Sequence, residues 1–376
     1  MNRSRTASKP YRILVLRLLL VLASLVISLV LGELLFRTFE PKPYSRPLAW
    51  FPEKEKWIPI GEIMSLVEGS EEDHRDGPGT RFRALREFRC KYDRPRWDYF
   101  DEDGCIDYHT NEFGFRDDSF SLKKGPDEYR ILALGDSFTM AVGVRYKDGW
   151  VEVLEQKLHD ALNRPVQVIN GGFAQGYMPA MYKDWIESDG IAFEPDAVII
   201  GLCLNDMHVA IPMLCYTPIE PADAWLGGRS RMLYHLQCYL HRNKELNDET
   251  KDFALFVDRQ PECWDANKKA MEETKAFLDK QRIRFIIAVL PMISGLQDHY
   301  PYKRLHDMVD DFCKAKGIEC VDLLDRFLGR NDRDLWVHPM DQHPNNIGQR
   351  LIGEGLFDYM MTHRDDSDSD KPGAGK

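Results

Sequence analysis

The sequence lacks the cysteine spacing of a structural metal site. Its eight cysteines include no C-x-x-C pair, and no cysteine–histidine cluster has zinc-finger spacing, so we expect no metal. It also lacks a basic stripe beyond the N-terminus, and the net charge of -11 argues against a nucleic-acid partner. What is present is a globular composition, with 43% hydrophobic and 30% charged residues. The 376 residues suffice for one large α/β domain with an anchor and insertions.

A long apolar run lies near the N-terminus. Residues 1–12 contain four basic residues and no acid, and residues 13–36 are apolar apart from positions such as Arg17 and Glu33 near the two ends. No small-x-small cleavage motif follows the run. We therefore predict a cytoplasmic segment over 1–12 and an uncleaved transmembrane signal anchor over 13–36. A cleaved signal peptide is the alternative.

The charge at the N-terminus also predicts the topology. Because the positive end stays in the cytoplasm, the bulk of the chain should cross the membrane. The single Asn-x-Ser/Thr sequon, at Asn2, lies on the cytoplasmic side, which favours a bacterial envelope over a glycosylating lumen. The predicted location is the bacterial inner membrane, with a single pass and the bulk of the chain in the periplasm.

The segment between anchor and core has little pattern. Four prolines in residues 41–56 predict an extended linker, and residues 37–107 together are interpreted as linker and N-terminal extension, whose pattern predicts no particular fold. In an oxidising compartment some cysteines would pair. Candidate pairs are Cys90 with Cys105, Cys313 with Cys320, and two cysteines of a later insertion, although sequence does not determine connectivity. The tail, residues 364–376, is rich in Asp, Ser and Gly and should be disordered.

Strand-like and helix-like segments alternate over residues 108–363. The predicted strands are Arg130–Leu134, Val166–Ile169, Asp196–Leu202, Arg284–Leu290 and Glu319–Leu323, and the predicted helices are Trp150–Leu162, Pro179–Ser188, Asp265–Gln281, Tyr302–Lys316 and Asn346–Thr362. This alternation predicts an α/β domain with a doubly wound parallel sheet and helices on both faces. Residues 207–263 interrupt it and are interpreted as an insertion, either a lid or a substrate-facing subdomain.

Polar or glycine residues follow the predicted strands at one edge of the sheet. Ser137 follows the first strand, Asn205 follows the third, and Asp341 and His343 precede the last helix; the second strand ends in a cluster made of Gly171, Gly172 and Gly176. The carboxyl ends of parallel strands share an edge, where open α/β sheets keep their sites. We therefore expect these residues to converge.

Together these residues have the chemistry of acyl transfer. A serine hydroxyl is a weak nucleophile, so His343 would take its proton, and Asp341 is the candidate acid that orients the histidine. The oxyanion would be held by the Ser137 backbone N–H, a glycine N–H and the Asn205 amide. Each residue also has a plainer interpretation. Ser137 can cap the following helix, Asn205 can be a turn residue, and His343 can pack at a helix start.

The four clusters resemble the sequence blocks of the SGNH subgroup of the GDSL esterase/lipase family. The matching segments are Gly135–Thr139, Asn170–Tyr177, Gly201–Asp206 and Asp341–Asn345. The resemblance covers about residues 108–362 and extends to membrane-anchored bacterial members, in which a segment like Thr110–Arg116 precedes the first strand. It implies a flavodoxin-like doubly wound sheet of the SGNH hydrolase type and a serine esterase without cofactor.

Two features depart from the family pattern. The acid usually lies three residues before the histidine, where this chain has Met340, whereas Asp341 lies two before. The second departure is that Gly176 follows Asn170 by one residue more than the family spacing. Gly176 is the first choice for the oxyanion glycine, and Gly172 is the alternative.

The resulting prediction is a serine ester hydrolase with the triad Ser137, His343 and Asp341 and an oxyanion hole of Ser137, Gly176 and Asn205. The expected substrates are O-acyl esters, O-acetyl above all, on cell-envelope glycans or polysaccharide, and no metal or cofactor is required. One alternative is an O-acyltransferase that uses the same serine. Another is a catalytically silent, membrane-tethered binding module.

Overall fold

The computed structural model describes residues 9–39, 42–52, 55–59, 84–173, 178–207, 219, 221–246, 257–258, 261–297 and 300–364. The chain forms two compact units. One unit contains residues 1–45 and 217–247, and the other contains residues 46–216 and 248–376. Part of the predicted insertion therefore belongs to the same unit as the N-terminal helix, while the α/β core forms the second unit.

The core of the second unit is a parallel sheet of five strands. They are β5 (Tyr129–Gly135), β6 (Val166–Gly172), β7 (Ala197–Cys203), β8 (Arg284–Leu290) and β9 (Glu319–Asp322). Every residue of β5 and β7 is buried, as expected for strands covered on both faces. The predicted α/β class and parallel sheet are confirmed, and the strands differ from their predicted bounds by three residues at most.

The strand order determines where a site can form. The order is β6-β5-β7-β8-β9, which is the 2-1-3-4-5 order of flavodoxin-like folds. The sheet therefore grows in opposite directions from β5, and the connections after β5 and β7 leave the sheet on different sides. Leu134 of β5 pairs in parallel register with Gly171 of β6 and with Ile200 of β7, so the three strand ends lie level. This edge carries Ser137 and Asn205.

Five helices of this unit follow the predicted pattern. They are α2 (Trp150–Leu162), α3 (Pro179–Ser188), α5 (Pro261–Gln281), α6 (Lys303–Lys316) and α7 (Asn346–Thr362). The start of α7 is fixed by Asn345, whose side-chain oxygen accepts hydrogen bonds from the backbone N–H groups of Ile347 and Gly348. Asn345 lies two residues after His343, so the cap also fixes the backbone next to the histidine.

A small antiparallel sheet precedes the core in sequence. Its strands, in the order β2-β1-β3-β4, are β1 (Leu48–Phe51), β2 (Lys56–Pro59), β3 (Glu87–Lys91) and β4 (Cys105–His109). Residues 48–51 thus form a strand where an extended linker was predicted. Pro47 and Pro52 flank this strand, where their missing N–H groups do not interrupt its pairing.

The small sheet has its own buried cluster. Phe88, Tyr92 and Tyr108 pack with Met140, which follows Ser137, and with Val337 of the strand Trp336–His338. The sheet is therefore packed against the segment that follows Ser137 and the segment that precedes His343. The described residues of the extension thus form a sheet that packs against these two segments.

The described cysteines are free thiols, and Cys203 is buried. The proposed pairing of Cys90 with Cys105 is wrong. Cys90 faces Ile106 across the β3–β4 ladder, and Cys105 faces Lys91, so the two side chains point to opposite faces of the sheet. Cys313 and Cys320 lie close enough for a thiol–thiol hydrogen bond but are not bonded covalently. Cys215 lies outside the described residues.

The other unit contains α1 (Lys9–Phe39) and α4 (Arg231–Leu246). Residues Tyr11–Phe39 of α1 are long and apolar enough to cross a membrane, and a membrane anchor or a signal sequence has this length and composition.

The core unit also contains a short antiparallel hairpin. Its strands are β10 (Trp336–His338) and β11 (Asp341–Pro344).

Candidate active site

The turn after β5 presents Ser137 at the edge of the sheet. Gly135 ends the strand where a Cβ atom would lie 2.1 Å from the Thr139 hydroxyl oxygen and 2.7 Å from the Gly201 carbonyl oxygen, so no larger residue fits. The Asp136 carboxylate then accepts a hydrogen bond from Phe138 N–H at 2.8 Å, and the Asp136 carbonyl accepts one from Met140 N–H at 2.9 Å. The chain turns sharply here and leaves Ser137 half-buried.

His343 lies against this serine. Its Nε2 is 2.8 Å from Ser137 Oγ, and its Nδ1 forms a short hydrogen bond with Asp341 Oδ1. Asp341 and His343 are both in β11, where side chains two residues apart point to the same face. The two-residue spacing between acid and histidine therefore allows direct contact because this segment is extended. Serine, histidine and aspartate form one hydrogen-bonded chain.

The electrostatics suit a histidine base. Burial lowers the pKa of His343, but the charge of Asp341 and the hydrogen bond to it raise that pKa, and the net direction is upward. Burial raises the pKa of Asp341, and the interactions with His343 and Tyr92 more than offset it, so the net pKa is lowered. The aspartate is thus ionised beside a histidine that gains a proton readily.

Tyr92, from the segment that follows β3, completes the surroundings of the acid. Its hydroxyl donates a 2.8 Å hydrogen bond to Asp341 Oδ2, the oxygen that His343 does not use. Tyr92 is buried, and its ring packs against those of Phe100 and His338. Tyr92 was not among the predicted site residues. It is one of several scattered aromatic residues in the extension, and no motif distinguishes it.

Asn205 lies in a short 3-10 turn, Leu204–Met207, that follows β7. Its side-chain amide donates a 3.1 Å hydrogen bond to Asp136 Oδ2. Asp136 therefore orients both the serine turn and Asn205, a larger role than its position beside Ser137 indicated. The neighbouring Asp206 is buried and accepts hydrogen bonds from the Tyr182 hydroxyl at 3.0 Å and from Cys203 N–H at 3.2 Å, which holds the turn in place.

The glycine cluster divides into a described and an undescribed part. Gly172 packs so closely that a Cβ atom would lie 2.2 Å from Met140 N. Its own N–H donates to the Asn170 side-chain oxygen at 3.1 Å, so this donor is already engaged. Gly176, the first choice for the oxyanion glycine, lies outside the described residues. The structure thus assigns Gly172 a packing function against the serine turn.

Arg116 binds the backbone of the segment that follows Ser137. The guanidinium is buried and donates to the carbonyl oxygens of Met140 at 2.9 Å, Ala141, and Val144 at 2.6 Å. It also lies over the ring of Tyr108, 4.0 Å from the centroid. Arg116 ends the segment Thr110–Arg116 that the family resemblance singled out. Its position explains why an arginine is useful there: a planar group with several donors can bind three carbonyls at once.

His338, five residues before His343, is not at the surface. It is buried, with Nε2 2.8 Å from the Asp93 carbonyl oxygen and Nδ1 accepting from Met340 N–H at 3.1 Å. Burial lowers the pKa of His338, which favours the neutral ring. Among the described residues, no group of three His, Cys, Asp or Glu side chains has an arrangement that could hold a metal ion.

Comparison with known proteins places this site in a family. The model of the GDSL-like lipase/acylhydrolase family matches residues 133–351, a stretch that contains Ser137, Asn205, Asp341 and His343. A search of curated proteins finds no significant match.

Solved structures with similarity to the chain include several esterases. An alpha/beta hydrolase from the metagenome of Lake Arreo is 19% identical, with a TM-score of 0.40, and the match covers 63% of this chain and 97% of that one. A two-domain esterase active on acetylated mannans is 14% identical, with a TM-score of 0.39 and coverage of 62% and 49%. A mutant of an acetyl-xylooligosaccharide esterase from Geobacillus is 16% identical, with a TM-score of 0.39 and coverage of 61% and 93%. The assignment rests on the family model: the chain belongs to the GDSL-like lipase/acylhydrolase family and is a serine esterase.

Proposed function

We propose that this protein is a membrane-anchored hydrolase that removes short O-acyl groups, above all O-acetyl, from glycans of the bacterial cell envelope. The observation that carries the proposal is the hydrogen-bonded chain from Ser137 Oγ through the imidazole of His343 to Asp341, with Nε2 of the histidine 2.8 Å from the serine oxygen. This distance is within reach for proton transfer between a nucleophile and its base.

The residues act in sequence. His343 Nε2 takes the proton of Ser137 as Oγ attacks the ester carbonyl, and the imidazolium is stabilised by Asp341 through Nδ1–H. The same Nε2–H then protonates the departing sugar hydroxyl, which leaves an acyl group on Ser137. Water enters, gives its proton to Nε2 and attacks the acyl carbonyl. The proton returns to Ser137 Oγ when the carboxylic acid is released.

The oxyanion of each tetrahedral intermediate needs hydrogen-bond donors that are already in place. Asn205 supplies its side-chain amide, which Asp136 orients through one of the two amide hydrogens and leaves the other available. The backbone N–H of Ser137 lies at the start of the tight turn. We assign the third donor to Gly176, because the N–H of Gly172 is engaged by Asn170.

The envelope location rests on the N-terminal helix. Residues Tyr11–Phe39 can span a membrane, and the basic residues at the N-terminus support a topology with the N-terminus in the cytoplasm and the catalytic residues in the periplasm. An esterase there meets acylated polysaccharides as abundant ester substrates. Acyl transfer to a sugar hydroxyl would use the same acyl-serine and differ only in the acceptor. A silent binding module is less well supported, because it has no use for an aligned serine, histidine and aspartate.

Serine labelling and turnover test the reaction. The full chain in detergent micelles should release nitrophenol from nitrophenyl acetate and should be labelled by a fluorophosphonate. Ser137→Ala should abolish labelling and reduce turnover by several orders of magnitude. Ser119→Ala is the matched control, because Ser119 is exposed and its hydroxyl donates to Glu112 away from the site. Equal labelling of Ser137→Ala and the native chain would reject the nucleophile.

Acyl acceptors distinguish hydrolysis from transfer. Acetate released from an O-acetylated glycan is measured with and without a second, unacetylated oligosaccharide. Hydrolysis predicts free acetate in both samples and no acetylated second glycan. Transfer predicts that the second glycan gains the acetyl group and that free acetate falls correspondingly.

A further inference from the structure

The insertion helix α4 is bound to the end of the apolar helix α1. The Glu33 carboxylate accepts hydrogen bonds from the Ser230 hydroxyl at 2.8 Å and from the backbone N–H of Arg231 at 3.0 Å and of Met232 at 3.2 Å. A carboxylate at this position satisfies the free N–H groups of a helix start and complements its dipole. The start of α4 is therefore held by a side chain of the N-terminal helix, which is distant in sequence.

Further contacts continue this junction. Arg37 donates to the Arg229 carbonyl at 2.6 Å, and Arg231 donates to the Arg37 carbonyl at 2.9 Å. The ring of Phe36 lies 5.6 Å from that of His235. These contacts use little more than one turn of α1, close to its C-terminal end.

The composition of α1 indicates the depth of this junction in a membrane. The apolar stretch 13–32, in which Arg17 is near the start, is about 30 Å long at 1.5 Å per residue. This length matches the hydrocarbon core of a bilayer, which is about 30 Å thick. Glu33 is the next residue, so it lies at the level of the lipid headgroups, and it brings the start of α4 to the same level.

Large apolar side chains are exposed on α4 and on the turn that precedes it. Leu236, Tyr239 and Leu240 are 46%, 62% and 50% exposed, and their i, i+3, i+4 spacing puts them on one face of the helix. Trp225 and Leu226, which precede the helix, are 48% and 65% exposed. A group of large apolar side chains of this size on a surface indicates an interaction partner.

The charge of this segment is opposite to that of the whole chain. Residues 225–246 contain Arg229, Arg231, Arg242 and Lys244 against one acid, Glu245, whereas the full chain has a net charge of -11. Basic residues beside Trp, Tyr and Leu are typical of helices that lie in the interface of a membrane with anionic lipids.

We propose that residues 225–246 form a membrane-surface element that binds the headgroup region of an anionic phospholipid bilayer beside the α1 anchor. The exposed apolar residues enter the interface, and the basic residues contact lipid phosphates. This inference rests on the membrane anchoring in the proposed function, but it does not depend on the catalytic chemistry. It assigns the insertion segment to the membrane, in place of the lid or substrate-facing subdomain expected from sequence.

Photocrosslinking of the full chain in vesicles tests this proposal. Tyr239 is replaced by p-benzoylphenylalanine, which keeps an aromatic side chain at an exposed position, and the protein is reconstituted in vesicles with one part phosphatidylglycerol to two parts phosphatidylcholine. After irradiation, mass spectrometry should find a phospholipid adduct on the peptide that contains residue 239. The same crosslinker at Leu122, an exposed leucine of the core unit, is the control and should give at least tenfold less adduct.

Two further measurements separate the components of the interaction. Phosphatidylcholine alone should reduce the adduct several-fold, because the basic residues lose their counter-charge. The double variant Leu236→Asp, Leu240→Asp should also reduce it, while hydrolysis of nitrophenyl acetate stays unchanged. Adduct equal to the Leu122 control, crosslinks to protein in place of lipid, or failure of the chain to float with the vesicles would each overturn the proposal. Esterase activity measured on the same sample shows independently whether the proposed function stands.

Discussion

The parallel sheet and the small antiparallel sheet both reach the catalytic centre, but they contribute different kinds of groups. The ends of β5 and β7 carry Ser137 and Asn205, which would touch the substrate. The antiparallel sheet contributes Tyr92 to Asp341 and the hydroxyl of Tyr108, which accepts a 2.6 Å hydrogen bond from Gly143 N–H. One sheet presents reacting groups, and the other holds their neighbours in place.

This difference has a physical origin. The carboxyl edge of a parallel sheet collects residues from strands that are distant in sequence, and its backbone N–H groups point to open space. The antiparallel sheet covers that region from outside and buries Tyr92 and Tyr108 completely. Substitutions on the two sheets should therefore have different effects. A substitution at the edge of the parallel sheet should greatly reduce turnover. A substitution on the antiparallel side should reduce turnover less and change its pH dependence.

The largest effect is expected at the acid, which joins Tyr92 to His343. Asp341→Asn should lower kcat by about 10⁴, because an amide stabilises the wrong histidine tautomer and cannot stabilise the imidazolium. Steady-state kinetics with nitrophenyl acetate measure this change. Asp107→Asn, an exposed aspartate of β4 that pairs with Arg89, is the control and should retain native kcat. A loss of less than tenfold in Asp341→Asn would show that the short spacing leaves the aspartate outside the triad.

Asn205→Ala tests the parallel sheet alone. Removal of one oxyanion donor should lower kcat by about 10²–10³ and leave the melting temperature near the native value. Asn267→Ala is the matched comparison, because the Asn267 amide supports the same turn by donating to the Met207 carbonyl at 2.6 Å. That variant should lose thermal stability more than turnover. The opposite ranking of the two variants would mean that Asn205 only supports the turn.

Tyr92→Phe tests the antiparallel sheet. The variant loses one hydrogen bond to a charged group, worth about 1.5 kcal/mol, so kcat should fall about tenfold. The charge on Asp341 then acts more strongly on His343, so the acid limb of the kcat profile should move to higher pH. Tyr99→Phe is the control, because the Tyr99 hydroxyl is buried without a hydrogen-bond partner in the described structure. A profile that keeps its native midpoint in Tyr92→Phe would make Tyr92 a packing residue only.

The smallest expected effect is a shift in the pH dependence of the native enzyme. His343 must be neutral to accept the serine proton, and Asp341 raises the pKa of His343 by its charge and hydrogen bond. Activity should therefore fall as pH decreases through a midpoint above the ordinary histidine range. The pH dependence of kcat/KM measures this midpoint. A midpoint at or below the ordinary range would indicate that burial, and not Asp341, dominates the pKa of the histidine.

Most of the core could be predicted from local pattern. Apolar β-rich runs and amphipathic segments placed the five strands of the parallel sheet and the helices α2, α3, α5, α6 and α7 within a few residues of their observed bounds, whereas the β10–β11 hairpin was not predicted. The strand order β6-β5-β7 brings together the sheet edge at which three of the four clusters were expected, and His343 of the fourth cluster contacts Ser137 from the β10–β11 hairpin. Such predictions succeed because burial on both faces of a parallel strand leaves a direct trace in composition.

The extension and the insertion could not be predicted in the same way. The strands of the small sheet are four or five residues long and lie among prolines and charged residues, so their periodicity is weak. The sequence of α4 shows a helix face, but nothing in it indicates that Glu33 holds its first turn. Contacts of this kind depend on packing between segments that have no shared pattern.

The sequence by itself determined the α/β class, the serine turn and the residues available for acyl transfer, because each follows from short-range spacing, burial pattern and side-chain chemistry. Only the tertiary structure decided that Tyr92 donates to Asp341 across 249 positions. It also decided that Asp341 and His343, two residues apart, lie in one strand and point to the same face. The tertiary structure also grouped residues 217–247 with the N-terminal helix. The physical reason is range: local pattern specifies backbone conformation, whereas hydrogen bonds between distant segments exist only after the chain has packed.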